Sequence, residues 1–143
     1  MSMFRRSIPW PPTDLALLEE IYRHHYKEFE SFGEGSRDSK VYVPIDCGAL
    51  GRHFGVDPDI IFGRLYGSLE RRFGVTNPNG STTPFFALQV GNDVRAIHFP
   101  MMASVISDLR AERGRYRFGT WLAVIAIVLS IASFVFTALT GLA

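Results

Sequence analysis

A single cysteine, Cys47, stands in this 143-residue chain, so no intrachain disulfide can form. That usage fits a reducing compartment. Histidine is scarce as well: His24, His25, His53 and His98 are all there are. His24 and His25 are adjacent and so point to different sides of a helix, and no ligand-pair spacing joins any histidine to Cys47. Cys47 lies near a helix start, where thiol pKa values can fall, but no base stands at a readable spacing from it. Gly48, Gly51 and Gly55 are not followed by Gly-Lys-Ser/Thr, which excludes a phosphate loop and leaves close helix packing and a turn as their roles. These absences leave no catalytic residue, metal or cofactor to expect. The N-terminal MSMFRRSIPWPP has no apolar run, so it is not a secretory signal. The net charge is only +1, and it points to no particular partner.

The most informative absence is of charge beyond Arg117. Residues 118–143 read FGTWLAVIAIVLSIASFVFTALTGLA, long enough to cross a bilayer as a helix and apolar on all faces rather than in one stripe. A transmembrane helix over 118–140 is expected, with 141–143 as a stub, so the lipid bilayer is the first partner. Arg110, Arg113, Arg115 and Arg117 precede the span, and Tyr116 and Trp121 are placed for an interfacial belt. This asymmetry predicts a single-pass membrane protein with its N-terminal domain cytoplasmic, similar to tail-anchored proteins. Ser133, Thr137 and Gly141 recur at four-residue spacing, a small-residue face through which two spans could associate.

The remainder reads as a small α+β domain. Thr13 caps a first helix whose apolar face is Leu15, Leu18, Tyr22, His25, Phe29 and Phe32. The Pro-rich residues 1–12 before it are expected to be extended, with Trp10 folded back on the domain. Lys40 to Val43 is β-prone. Asp46 caps a short helix over Cys47 to Phe54, which Gly55 ends. Asp57 with Pro58 starts a third helix to about Phe73, stopped by Gly74. Its expected core face is Phe62, Leu65, Tyr66, Leu69 and Phe73. After the turn-rich Thr76 to Pro84, two β-prone runs flank Gly91-Asn92-Asp93 as a hairpin. A last helix from Met101 carries the basic flank, giving a domain over 13–99 and a linking helix over 100–117.

The order helix-strand-helix-helix-strand-strand, with a helix-turn-helix between the first strand and the hairpin, resembles a winged-helix domain. The resemblance implies that the third helix presents its outer stripe, Ile60, Arg64, Gly67 and Arg71, to a partner, either duplex DNA or a protein. Charge argues for a protein. Over residues 41–72, Arg52, Arg64, Arg71 and Arg72 are balanced by Asp46, Asp57, Asp59 and Glu70, and the expected wing, Val75 to Pro84, has no cation. The expected function is a membrane-anchored interaction adaptor or small subunit of a membrane assembly; the alternative is a membrane-tethered DNA-binding regulator.

Overall fold

The computed structural model describes residues 8–33 and 36–142. Residues 1–7 of the expected extended N-terminus and residue 143 of the expected stub lie outside them. The chain divides into two compact units, Met1–Ile106 and Ser107–Ala143.

In the first unit, α1 runs Asp14–Glu30, with the Thr13 hydroxyl accepting from the Ala16 amide at 3.2 Å. Its buried residues are Leu15, Leu17, Leu18 and Ile21. The first two turns thus turn a broader face inward than expected, while Tyr22 and Phe29 stack on Phe99 at 5.3 and 4.6 Å between ring centroids. Strand β1 (Tyr42–Pro44) follows, then α2 (Cys47–Phe54), capped by Asp46 and closed by Gly55 in the left-handed region at φ 69°. A β-carbon on Gly51 would stand 2.8 Å from the Val56 carbonyl oxygen and 3.1 Å from the Pro58 nitrogen, so glycine there lets the two short helices turn tightly.

The third helix differs from its sequence reading in one instructive way. It begins as expected, Asp57 capping α3 (Pro58–Gly63), but residues Arg64–Leu69 form a π-helical segment before α4 (Glu70–Phe73) resumes. The Glu70 amide donates to the Leu65 carbonyl, the i→i+5 bond of a π turn. The buried residues are Ile61, Leu65 and Leu69, at steps of four. Such steps overrun a 3.6-residue turn, and the wider π turn absorbs the excess so that all three reach the core. Phe62 and Phe73 are therefore only half-buried and Tyr66 is exposed, against the expected core face. Gly74 ends the helix without a left-handed φ; a side chain there would collide with Glu70.

Two antiparallel sheets complete the unit. Val75–Thr76 (β2) and Thr82–Thr83 (β3) form a miniature hairpin within the stretch expected to be a loop. The larger sheet has the order β1-β5-β4, from β4 (Phe86–Val90) and β5 (Asp93–His98). Val90 pairs with Asp93, so the hairpin turn is the two residues Gly91-Asn92 rather than three, with glycine first at φ 59°. The Asp38 carboxylate accepts from the Asn92 amide and occupies the space a Gly91 side chain would need.

Helix α5 runs Phe99–Thr140 and belongs to the first unit through Phe99, Met102, Val105 and Ile106, all buried. His98 stands just before it, and its Nδ1 accepts from the Met101 amide at 3.2 Å, in the manner of an N-cap. Burial pushes the imidazole pKa below its usual value of 6.5. The folded unit then binds fewer protons at His98 than the unfolded chain does. This contribution is complete above about pH 6.5 and is lost as pH falls through the lowered folded value. Denaturant melts of the Met1–Ile106 unit should therefore show stability falling between pH 7.5 and pH 5. His98→Asn, which keeps a capping oxygen and cannot titrate there, should flatten that fall; an unchanged slope would show that His98 does not carry it.

Candidate functional site

The outward surface of the third helix was the place where the sequence put a partner. Of its four residues, Ile60 is 47 % exposed, Arg71 is exposed, and Gly67 opens onto empty space where a side chain would be. Arg64 is not displayed. Its Nε donates to Asp14 Oδ1 at 2.7 Å, and Arg72 donates from Nη1 to Asp14 Oδ2 at 2.9 Å. One carboxylate at the start of α1 thus bridges two guanidinium groups. The balanced composition foreshadowed such pairing, but no spacing rule links residues fifty positions apart.

Phe62 and Tyr66, expected in the core, instead form a surface of their own. Tyr66, 46 % exposed, stacks on Phe62 with ring centroids 5.6 Å apart. The Arg95 guanidinium stands 4.9 Å from the Phe62 centroid, within cation–π reach. Arg95 itself adopts φ 54°, which a side-chain-bearing residue rarely does, and its carbonyl accepts from the Ile45 amide at 3.1 Å. Nothing in the sequence marks Arg95 for that backbone. The result is a ladder of an exposed arginine, the half-buried Phe62 and the exposed Tyr66 where the third helix meets the β4–β5 hairpin.

The hairpin tip carries the opposite charge. Asp93 Oδ2 accepts from the Asp38 amide at 3.4 Å, so two carboxylates gather beside Gly91-Asn92. The β2–β3 hairpin is uncharged, its turn held by Asn77 and Ser81.

Cys47 is buried, and that burial pushes its thiol above the ordinary value against the pull of Arg95. The lowering that a helix start can bring does not prevail. Trp10 is 87 % exposed and does not fold back on the domain as expected. His24 and His25, expected to diverge, both line a recess of ≈ 270 Å³ between α1 and α2, with Glu20, Asp46, Leu50 and His53. Among the described residues no group of three or more His, Cys, Asp or Glu is placed to hold a metal ion.

In the second unit, α5 is the one described helix long and apolar enough to cross a membrane, and no side chain in its most apolar stretch is buried. Trp121 and Tyr116 are exposed at its polar end, with Arg110, Arg113, Arg115 and Arg117. Tyr116, Arg117, Thr120, Trp121 and Val124 border a shallow groove of ≈ 380 Å³. Of the small-residue face, Ser133 and Thr137 are helical, but Gly141 lies in the turn after Thr140, the last helical residue. The Ser133 and Thr137 hydroxyls donate to the carbonyls of Leu129 and Ser133, each at 2.9 Å. Comparison with protein-family models, curated proteins and solved structures finds no match to this chain.

The clamp makes a direct prediction. Asp14→Asn should destabilise the folded unit by about 1 kcal/mol, since the pair is partly exposed and the residue also sits at a helix start. It should also release two cations. In titrations of the full-length protein in detergent with duplex DNA, the dependence of log affinity on log salt should steepen by up to about two phosphate equivalents relative to wild type. An unchanged salt slope would mean that Arg64 and Arg72 are not withheld by Asp14.

Proposed function

We propose that this chain is a membrane-anchored adaptor, a winged-helix-like module that binds a protein partner at a cytoplasmic membrane face. The single observation that carries this reading is the Asp14 clamp. It pairs with two of the three arginines on the third helix that a DNA reader would aim at phosphates and cancels one of their charges, and DNA affinity rests on clustered free cations. The acidic hairpin tip opposes phosphate as well. The displayed Arg95–Phe62–Tyr66 ladder has the composition of a protein hot spot, in which tyrosine and arginine are enriched. The antiparallel order β1-β5-β4, following helix, strand and two helices, supports the winged-helix reading.

The anchor reading rests on the bare apolar stretch of α5. Large side chains such as Val128, Leu129, Ile131 and Phe134 are more than half exposed, and water is a poor medium for such a surface. A bilayer covers it on every side. The four arginines at its polar end support a cytoplasmic N-terminal unit.

Two experiments test these readings. A photo-crosslinking amino acid in place of Tyr66 in the full-length protein should trap a discrete protein band in membranes, and the same group in place of Arg52 should not. Duplex DNA trapped from position 66, or equal capture at both positions, would favour the DNA-binding alternative or remove the proposed surface. Topology has its own readout. Asn79-Gly80-Ser81 is an exposed acceptor sequence for glycan addition. During translation into eukaryotic microsomes Asn79 should stay unmodified; modification there would place the first unit on the other side.

A further inference from the structure

The arginines before the apolar stretch do more than sum to a positive flank. At 3.6 residues per turn, Arg110, Arg113 and Arg117 fall within about 60° of one another around α5. Asp108 and Glu112 fall on the opposite side, and Arg115 sits with them, bordering their recess and a second groove with Tyr116, Gly119 and Ala123 that Trp121 does not line. A flank that served only to set topology would need its arginines on no particular face. Here charge is sorted, and the arginine stripe leads into the groove bordered by Arg117, Thr120, Trp121 and Val124.

We infer that Arg113 and Arg117, with Trp121 beside them, form a binding site for the headgroup of an anionic phospholipid. The inference deepens the anchor reading and rests on it. Guanidinium groups match phosphate oxygens with paired N–H donors. Arg117 is one helical turn before Trp121 and two before Val124, so one ligand can meet charge at one end and apolar surface at the other. A phospholipid has that construction. An acidic protein segment would satisfy the arginines and leave the Trp121–Val124 half of the groove uncovered. The Thr120 hydroxyl already donates to the Tyr116 carbonyl at 3.0 Å, so it makes no competing demand on the groove.

The test uses the full chain reconstituted into bilayers. The chain has two tryptophans, and Trp10→Phe leaves Trp121 as the sole fluorophore. Lipids brominated on their acyl chains quench a nearby indole. Anionic and zwitterionic brominated lipids are compared at equal mole fraction in otherwise identical bilayers. The anionic lipid should be enriched at Trp121 by at least about threefold at low salt, since each basic residue near the surface favours anionic lipid by roughly fivefold, and high salt should reduce the excess. Arg113→Gln with Arg117→Gln should abolish the preference while quenching by the zwitterionic lipid persists, which shows the variant still inserted. Arg115→Gln, on the opposite side, should preserve it. Equal quenching by the two lipids in wild type overturns the site, as does an equal loss in Arg115→Gln, which would reduce it to bulk charge. Absence of quenching by either lipid removes the anchor reading and the site with it.

Discussion

Asp14 bridges the two sides of the third helix's unusual winding. Its two oxygens grip Arg64, the first residue of the π segment, and Arg72, just beyond its end. A π turn is less favourable than an α turn and persists where packing repays it. Ile61, Leu65 and Leu69 repay it by burial, and the two ion pairs fix the flanks from outside. The same contact decides what the surface offers. Cations that share Asp14 carry less free charge toward phosphate, while Tyr66 faces solvent. One carboxylate therefore couples the internal packing of the helix to the chemistry of its outer face.

A second constraint acts at the root of α5. Phe99 is buried under Tyr22 and Phe29, and His98 caps the helix while its own amide donates to the Phe85 carbonyl at 2.8 Å. The same strand pairs with β1, where Tyr42 sits edge-on to His98 and donates its hydroxyl to Pro84. The start of α5 is thus fixed by aromatic packing, a cap and a strand end together. Glu70 extends this lattice by accepting from the Phe86 amide at 2.6 Å, joining the end of the third helix to β4.

Local chemistry was legible in the sequence. Thr13, Asp46 and Asp57 cap the helices they were expected to cap, because a capping oxygen acts within three residues. Gly55 and Gly91 stand at the expected turns with positive φ. The α+β class and the long apolar helix followed from the same kind of evidence. What escaped were consequences of tertiary fit. A π segment leaves no local signature, since Ile61, Leu65 and Leu69 read equally well as part of a regular α face that includes Phe62 and Tyr66. The Asp14–Arg64 pair spans fifty positions, so the charge balance was visible but the partners were not. Arg95 in the left-handed region is set by its strand neighbours, and Trp10 has no partner that composition could have specified.

The polar groups within the apolar helix bear on where recognition can reside. In hydrocarbon an unpaired hydroxyl is costly and would seek a partner on another helix. Here Ser130, Ser133, Thr137 and Thr140 each donate to a carbonyl of their own helix. The apolar helix therefore imposes no hydroxyl demand for a neighbour, and with Gly141 beyond the helical end, its small-residue face is shorter than the spacing implied. Association through it would depend on van der Waals fit alone. Under the proposed readings, selectivity resides where charge is sorted and displayed: the Arg95–Phe62–Tyr66 ladder on the first unit and the arginine stripe at the polar end of the second. Each sets arginine near aromatic side chains, Arg95 over Phe62 and Arg117 one turn before Trp121.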